Sequence, residues 1–236
     1  MVIGTTSTEH LKRAAAFAAA EEIRDGMLVG LGTGSTARFA VEALAVKIRS
    51  GLNVDAVATS MNTADLAARL GIRVRDFAEI ASIDLAIDGV DEIDPALRAI
   101  KGAGGAMLRE KIVATSATRM IAVADSSKLA DRLGGRPLPV EVLPFARAFV
   151  EARIRDLGGT PCFRRAASGA PFVTDQGNFV VDAVFPFIED PGALASALDA
   201  WPGILAHGLF LGEIDALYVA GPDGVSIRER LAAEPM

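Results

Sequence analysis

The chain has 236 residues, of which 51% are hydrophobic and 23% are charged. This composition is typical of a folded globular protein and excludes an intrinsically disordered one. The formal net charge of −6 disfavours a general nucleic-acid binder, which needs a basic face, and the sequence lacks the run of about 20 apolar residues that a membrane helix needs.

Cysteine and histidine are scarce, and this limits both the cellular compartments and the metal sites to be expected. The chain contains one cysteine, Cys162, and two histidines, His10 and His207. One thiol cannot form an internal disulfide, and these three side chains cannot build a Cys/His zinc site. We therefore expect a cytoplasmic protein without structural zinc, in which Cys162 is a small buried hydrophobe.

Strands and helices alternate from residue 27 to residue 125. Before them, the capping-box spacing of Thr6 and Glu9 predicts a helix that begins near Ser7. The predicted strands are residues 27–32, 53–60, 72–77, 83–88 and 119–125, and the predicted helices are 37–50, 61–71 and 107–117. This alternation predicts an α/β fold with a Rossmann-like, doubly wound parallel sheet. Ligands of such sheets bind beyond the carboxyl ends of the strands, where the loops 32–36, 59–60, 88–91 and 125–128 fall.

The pattern changes after Lys128. The predicted strands are now 136–144, 160–165, two strands within 172–185, and 204–211, and the predicted helices are 145–159 and 191–203. This order predicts a smaller α+β domain of the ferredoxin-like, split-βαβ type. The tail, 214–229, is predicted to be one strand that returns to the first sheet. We therefore expect a Rossmann-like catalytic domain of residues 1–130 plus 209–236, and a small domain of residues 131–208.

The segment Gly32–Thr36, GTGST, connects a predicted strand to a predicted helix. It offers backbone N–H groups and hydroxyls to an anion at a helix N-terminus. It lacks the Gly-Lys-Ser/Thr of a Walker A loop and the third glycine of the dinucleotide fingerprint. The alternative is an ordinary tight turn in which Ser35 and Thr36 cap the helix.

Two carboxylates, Asp88 and Asp91, lie three residues apart around Gly89 at the mouth of a predicted buried strand. Such a pair can divide into an acid and a base, because like charge and partial burial separate the proton affinities of the two groups. A solvated acidic turn is the alternative for this segment.

The segment KGAGGAMLREK adds a lysine and a further carboxylate. Lys101 opens a glycine-rich stretch in which a ligand can approach the backbone, and Glu110 lies on a predicted helix between apolar neighbours such as Met107 and Val113. A partly desolvated carboxylate suits a general base, although a surface glutamate is the alternative. Lys128 is either a phosphate contact or an exposed lysine.

Seven segments resemble one family in the same order along the chain. They are VGLGTGSTARF, ATSMNTADLAARLGI, DLAIDGVDEID, KGAGGAMLREKIVA, ADSSKLADRLG, PLPVEVLPFA and VTDQGNFVVD. Together they resemble the ribose-5-phosphate isomerases of the A type, over essentially the whole chain from about Leu11 to Ser226. One departure is Ala103, which stands where the family usually has the second of three glycines; it bears on the local backbone rather than on the reaction.

The resemblance implies an aldose-ketose isomerase of the pentose phosphate pathway, which interconverts D-ribose 5-phosphate and D-ribulose 5-phosphate without a metal or an organic cofactor. It implies that Glu110 moves a proton between C2 and C1, that Asp88 and Asp91 handle hydroxyl protons and ring opening, and that Lys101 stabilises the enediolate oxygen. The implied substrate-binding residues are Thr33, Gly34, Ser35, Thr36, Gly89, Val90, Gly102, Ala103, Gly104 and Lys128. A homodimer or homotetramer is also implied.

Two other functions remain open at this point. A sugar-phosphate sensor would normally carry a DNA-binding module, and no such module precedes residue 27. A CoA transferase has a related fold but needs a glutamate nucleophile in a CoA-binding context. A carboxylate-bound magnesium also remains an alternative to proton transfer.

Overall fold

A computed structural model describes the backbone of residues 4–231 and the side chains of residues 8–231. The chain divides into two compact units. The first unit contains the described residues up to Gly89, Val113–Lys128, and the described residues from Gly212 onward. The second unit contains Val90–Ile112 and Leu129–Leu211.

Helices and strands occur in the following order. The helices are α1 (Gly4–Ala20), α2 (Ala37–Arg49), α3 (Met61–Arg69), α4 (Met107–Ser116), α5 (Arg147–Asp156) and α6 (Pro191–Asp199). The strands are β1 (Leu28–Leu31), β2 (Asp55–Ala58), β3 (Ile83–Gly89), β4 (Glu92–Ile93), β5 (Ala99–Ile100), β6 (Ala117–Asp125), β7 (Leu138–Val142), β8 (Thr160–Phe163), β9 (Phe179–Val184), β10 (Ile204–His207), β11 (Leu209–Phe210), β12 (Ala216–Gly221) and β13 (Gly224–Glu229). Short 3-10 helices cover Phe77–Glu79, Ser126–Lys128 and Pro144–Ala146.

The sheet of the first unit is mainly parallel. Across the described strands its order is β13-β12-β6-β3-β1-β2, and β13 is an antiparallel edge strand. Apolar side chains of α1 and α2 pack on one face over Leu31, Ile87 and Val123. On the other face Gly30 makes room for α4, since a Cβ at Gly30 would lie 2.6 Å from Cγ1 of Val113. The predicted Rossmann-like class is confirmed.

The second unit contains an antiparallel sheet with the element order β7-α5-β8-β9-α6-β10. Its strand order is β10-β7-β9-β8, which is the split-βαβ arrangement predicted from the sequence. Val140, Val142 and Val181 face the apolar side chains of α5 and α6. Because side chains alternate along a strand, Glu141 and Val180 lie on the opposite face. A small sheet of order β11-β5-β4 also belongs to this unit.

The segment 204–211 was predicted to be one strand, and this prediction is wrong. It forms β10 and β11, which belong to different sheets and are separated by Gly208. The Gly208 carbonyl accepts a hydrogen bond from the Lys101 amide at 2.9 Å, and its own amide donates to Pro139 at 2.8 Å. A Cβ at Gly208 would lie 2.1 Å from the Lys101 carbonyl oxygen, so only glycine lets the chain change sheets there.

Three further predictions of strands need correction. The tail 214–229 is a hairpin, β12 and β13, because Gly224 adopts a φ of +106° and turns the chain. Residues 72–77 contribute a single bridge between Val74 and Ala56. The first predicted strand of 172–185 is likewise reduced to a single bridge, which joins Val173 to Phe179.

The N-terminal helix and the cysteine also differ from expectation. Helix α1 begins at Gly4, before the predicted start near Ser7, and the side chain of Thr6 lies outside the described residues. Cys162 is exposed on β8, so the prediction of a buried cysteine is wrong. None of the helices within residues 4–231 combines the length and apolar character that a membrane crossing requires.

The compact units differ from the predicted domain boundaries chiefly at residues 90–112, and by a few residues at 129–130 and 209–211. Residues 90–112 were predicted to lie in the first domain, whereas the structure places Val90–Ile112 in the second unit. The reason is strand pairing, since β5 joins β4 to β11 in one small sheet. The domain boundaries drawn from the sequence stay a prediction.

Candidate active site

Asp88 and the loop after β1 are fitted to one another in the first unit. Asp88 is 3% exposed, and its Oδ1 accepts hydrogen bonds from the amides of Thr33 at 3.0 Å and Gly89 at 2.7 Å. A Cβ at Gly32 would lie 2.0 Å from the same oxygen. Only a residue without a Cβ fits at position 32 beside this carboxylate. Asp88 is therefore buried against the loop and is not a solvated turn residue.

A cluster of hydroxyls holds Thr33 in place. Its Oγ1 lies 2.8 Å from the hydroxyl oxygens of Thr59 and Ser60 and 3.3 Å from that of Thr63. The Thr63 hydroxyl donates to the Gly32 carbonyl at 3.0 Å, and Ser60 caps α3 by accepting from the Thr63 amide. These side chains lie at the carboxyl ends of β1 and β2. Sequence reasoning placed Thr59 and Ser60 there but missed Thr63.

The rest of the glycine-rich loop lies before α2 and is partly exposed. Gly34 and Ser35 are exposed, and Thr36 precedes α2. Among the described residues the Thr36 side chain makes no capping hydrogen bond, which contradicts its alternative role as a helix cap. Lys12 of α1 donates to Ser35 Oγ at 2.9 Å. Sequence reasoning missed Lys12, because only tertiary structure brings it to the loop.

Lys128 ends the short 3-10 helix that follows β6, and it is half-buried. The preceding Asp125 is 2% exposed, and its Oδ1 accepts from the Ser127 amide at 3.0 Å. Asp125 thus shapes the turn that carries Lys128. Because β6 is parallel to β3 and β1, this turn leaves the sheet at the same edge as Asp88 and the Thr33 loop.

In the second unit, Lys101 and Glu110 form a buried ion pair. Lys101 Nζ lies 3.3 Å from Glu110 Oε2, and the two side chains are 2% and 4% exposed. The Lys101 ammonium also lies 5.3 Å from the centre of the Phe210 ring, within cation–π range. Glu110 lies in the first turn of α4 and is not a surface glutamate.

Asp91 belongs to the same unit and holds the glycine-rich segment after Lys101. Its Oδ2 accepts from the Ala103 amide at 2.9 Å. Gly102 and Gly105 have φ values of +105° and +76°, which L side chains rarely adopt, whereas Ala103 is outside that region. Because its φ lies outside that region, the alanine that departs from the family pattern introduces no backbone strain, and its side chain is exposed.

The neighbouring acidic residues have structural roles. Glu92 accepts hydrogen bonds from the amides of Gly134 and Gly135 at 2.8 and 3.0 Å. Asp94 accepts from the amides of Ala96 and Arg98. The acidic stretch 88–94 therefore divides into carboxylates that shape the site, Asp88 and Asp91, and carboxylates that brace loops.

The remaining candidates flank these residues. Gly89 ends β3 and Val90, which is 6% exposed, begins the second unit, whereas Gly104 is exposed between Ala103 and Gly105. The candidate residues are thus divided: Thr33–Thr36, Asp88, Gly89 and Lys128 lie in the first unit, and Val90, Asp91, Lys101–Gly104 and Glu110 lie in the second. Within residues 8–231, no group of three or more His, Cys, Asp and Glu side chains is arranged to hold a metal ion.

Comparison with known proteins identifies the family. The family model described as ribose 5-phosphate isomerase A (phosphoriboisomerase A) matches residues 55–224, well over half of the chain. The chain belongs to the ribose 5-phosphate isomerase A family.

Relatives and solved structures agree with this membership. Ribose-5-phosphate isomerase A of Sphingopyxis alaskensis is 52% identical over 93% of this chain and 96% of the relative. The protein of the same name from Roseiflexus castenholzii is 52% identical over 92% and 94%. The structure of ribose 5-phosphate isomerase A from Methanocaldococcus jannaschii has a TM-score of 0.90 at 35% identity and covers 94% of this chain and 99% of its own. A D-ribose-5-phosphate isomerase solved in complex with phospho-erythronic acid has a TM-score of 0.92, also at 35% identity, with the same coverage of 94% and 99%.

As a member of the isomerase family, the chain presents two chemically distinct sets of groups. The first unit offers amides, hydroxyls and lysines, which suit a phosphate group. The second unit offers a buried carboxylate beside a buried ammonium, which suits proton abstraction next to a carbonyl.

Proposed function

We propose that this protein interconverts D-ribose 5-phosphate and D-ribulose 5-phosphate by proton transfer through an enediolate. Family membership supports the reaction, and the buried Lys101–Glu110 pair carries the mechanism. A glutamate that is 4% exposed is shielded from water, and a fixed ammonium 3.3 Å away supplies positive charge where an oxyanion develops.

In this mechanism Glu110 removes the proton from C2 of the open-chain aldose, and the electron pair forms the C1–C2 double bond of the enediolate. The C1 carbonyl electron pair moves to O1, the same carboxyl returns a proton to C1, and the O2 hydroxyl proton is passed to O1 as O2 becomes the ketose carbonyl. Lys101 stabilises the negative charge on oxygen. Asp88 and Asp91 exchange the hydroxyl protons and assist ring opening. Atoms and electrons balance without an external oxidant or cofactor.

The phosphate group is assigned to the first unit. The amides and hydroxyls of Thr33–Thr36 precede α2, so the partial positive charge of the helix N-terminus adds to that of Lys128. Lys12 joins this set because its ammonium already contacts Ser35. Gly89, Val90 and Gly102–Gly104 are assigned to backbone contacts with the sugar.

The ligand of one structural relative agrees with this chemistry. That relative was solved with phospho-erythronic acid, whose carboxylate places two oxygens on one carbon next to a phosphorylated polyol. An enediolate similarly carries oxygens on the reacting carbons. Lys101, which is proposed to stabilise negative charge on oxygen, suits either group of atoms.

The first test is turnover of ribose 5-phosphate by the intact protein and by Glu110→Gln, assayed in D2O with EDTA present. We expect the intact protein to incorporate solvent deuterium at C1 of ribulose 5-phosphate, and the variant to lose activity by a factor of about 10³ or more. Glu189→Gln is the matched control, because Glu189 is an exposed glutamate of the same unit.

Other outcomes would reject the proposal in different ways. Binding of ribose 5-phosphate without turnover by the intact protein would make it a sugar-phosphate sensor. Loss of turnover in EDTA would require a metal-assisted route. Full activity of Glu110→Gln would remove Glu110 from the proposed role while leaving the reaction in place.

The cytoplasmic location and the homodimer or homotetramer are also proposals. The first rests on the single cysteine, and the second on family resemblance alone. Light scattering of the purified protein measures the oligomeric state directly.

A further inference from the structure

We propose that Arg164 is a positioning residue for the reaction, because it clamps the peptide segment that links Lys101 to the helix of Glu110. This inference rests on the proposed function. Arg164 follows β8 in the antiparallel sheet of the second unit, far along the chain from the segment that it contacts. Its Nη1 donates hydrogen bonds to the carbonyl oxygens of Gly102 and Ala103, both at 3.1 Å.

The guanidinium is itself held rigidly. Arg164 Nε donates to Asp182 Oδ2 at 2.8 Å, and Nη2 donates to Asp182 Oδ1. The two side chains are only 13% and 20% exposed. This fork fixes the plane of the guanidinium, so the two hydrogens on Nη1 point in fixed directions, one for each carbonyl. A lysine cannot reproduce this geometry.

By holding two carbonyl groups, the clamp also fixes the directions of two backbone N–H groups, those of Ala103 and Gly104. In a trans peptide the N–H points opposite to the C=O of the same plane. Because the carbonyls of Gly102 and Ala103 both point at Nη1, the amides of Ala103 and Gly104 point away from Arg164. The Ala103 amide does so visibly, since it donates to Asp91 Oδ2 at 2.9 Å.

The same trans peptide geometry directs the Gly104 amide to the side that Asp91 occupies. Gly104 is exposed, and in the described part of the chain no acceptor contacts its N–H. The clamp therefore fixes the Gly104 N–H beside Asp91, a proposed catalytic carboxylate. There it is placed to donate a hydrogen bond to a substrate hydroxyl or oxyanion.

Packing next to the clamp limits the movement of the segment. Gly105 lies against Phe172, since a Cβ there would come within 2.4 Å of Cε1 of that ring. The Arg164 guanidinium carbon lies 5.5 Å from the centre of the same ring. Phe172 and Arg164 also share a backbone hydrogen bond of 3.1 Å. Arg164 and Phe172 thus hold the segment at the carbonyls of Gly102 and Ala103 and at Gly105.

The consequence concerns the reacting groups on both sides of the clamp. Lys101 immediately precedes Gly102, and α4, which carries Glu110, begins at Met107. Release of the two carbonyls frees the short connection between these groups. The expected effect is a loss of turnover, because the reacting groups are misplaced, rather than a loss of phosphate binding, which is assigned to the first unit.

The test compares Arg164→Ala, Arg164→Lys and Asp182→Asn with Arg165→Ala as the matched control. Arg165 is the adjacent arginine, and its Nη1 donates instead to the Gly169 carbonyl. We expect kcat of Arg164→Ala to fall about 100-fold with KM within about threefold of the parent value. Arg164→Lys should lose nearly as much, Asp182→Asn less, and Arg165→Ala should resemble the parent.

Two readouts separate positioning from general stability. Guanidinium at a non-denaturing concentration should restore part of the activity of Arg164→Ala, whereas an equal concentration of urea should not. Hydrogen–deuterium exchange of the peptide that contains Ala103 and Gly104 should become faster in Arg164→Ala and stay unchanged in Arg165→Ala.

The outcomes distinguish this inference from the proposed function. If the parent protein does not isomerise ribose 5-phosphate, the proposed function fails. If the parent is active and folded Arg164 variants keep its kcat and its exchange rates, only the clamp is wrong. If Arg164→Ala does not fold, Arg164→Lys and Asp182→Asn decide, and parental kcat in both overturns the inference.

Discussion

At the scale of single residues, the Lys101–Glu110 pair is a buried ion pair, an arrangement that costs desolvation of two charges. Both side chains are almost fully buried, and Lys101 Nζ lies 3.3 Å from Glu110 Oε2. Removal of one partner from a buried pair leaves an uncompensated charge, whereas removal of both does not. The pair is therefore an arrangement that function explains better than stability does.

This asymmetry gives a stability prediction. Lys101→Met should lower the free energy of unfolding by about 3–5 kcal/mol, because Glu110 then stays buried without its ammonium partner. The double variant Lys101→Met/Glu110→Gln should recover a large part of that loss. Urea denaturation of the three proteins measures both effects. A double variant no more stable than Lys101→Met would contradict the role of the pair.

Gly32 supports a second prediction at the same scale. Gly32→Ala should push the Asp88 carboxylate away from the Thr33 loop, since the new Cβ would lie 2.0 Å from its Oδ1. Turnover of ribose 5-phosphate should fall about 100-fold, the size expected for a displacement of about 1 Å. Gly212→Ala is the control, because a Cβ at Gly212 meets nothing within 4 Å. Equal activities of the two variants would show that Asp88 tolerates displacement.

At the scale of elements, a cluster of polar side chains links the turn after α1 and strand β6 to the hairpin of β12 and β13. Arg119 donates to Glu22 from Nε at 2.7 Å and to Glu229 from Nη2 at 2.8 Å, and the Tyr218 hydroxyl donates to Glu22 at 2.5 Å. The hydrogen bond from Arg119 lowers the pKa of Glu22 below 4.5. Desolvation, followed by the bond to Glu22, raises the pKa of Tyr218 to about 12.

The lowered pKa of Glu22 predicts how stability depends on pH. The ionised carboxylate stabilises the folded chain fully above pH 4.5, and this contribution is lost as pH falls through the lowered pKa. Glu22→Gln should therefore cost about 1 kcal/mol at pH 7, a modest value because the site is partly open to solvent, and almost nothing at the acid end. Denaturant unfolding of both proteins between pH 7 and pH 3 tests this. A difference that does not shrink with acid would rule out the ionised carboxylate as its cause.

Most elements were predictable because their signals are local. Apolar periodicity, glycine and proline placed the helices α2 to α6 and most strands within a few residues. Two of the failures occur where a distant partner decides the structure, whereas the hairpin of 214–229 turns at Gly224. Residues 72–77 have strand-like alternation but form a single bridge, and 204–211 splits because Gly208 serves both Pro139 and Lys101.

At the scale of the whole molecule, the two units are not continuous in sequence. The chain passes between them after Gly89, Ile112, Lys128 and Leu211. The predicted small domain, 131–208, contains the antiparallel sheet but lacks 90–112. That segment supplies Met107, which packs with Val180 and Ala206 on the face opposite α5 and α6.

The missing segment predicts the behaviour of the isolated fragment 131–208. Its sheet should form, but the face that Met107 covers would be exposed to water, so the fragment should bind a hydrophobic dye and unfold with low cooperativity. Circular dichroism and dye fluorescence measure this against the full chain. A cooperative transition without dye binding would instead support 131–208 as an independent domain.

The sequence by itself determined the fold class, because strands and helices alternate along the chain. It also determined the glycine-rich loop, the acidic pair, and the lysine and glutamate of the candidate site, because each is a short motif of neighbouring residues. Only the tertiary structure decided which groups support them. Arg164 reaches Gly102 across 62 positions, and Lys12 reaches Ser35 across 23. The segment Val90–Ile112 joins the second unit through β5, which pairs with Leu209–Phe210. Such contacts depend on how distant segments pack, and local periodicity carries no information about them.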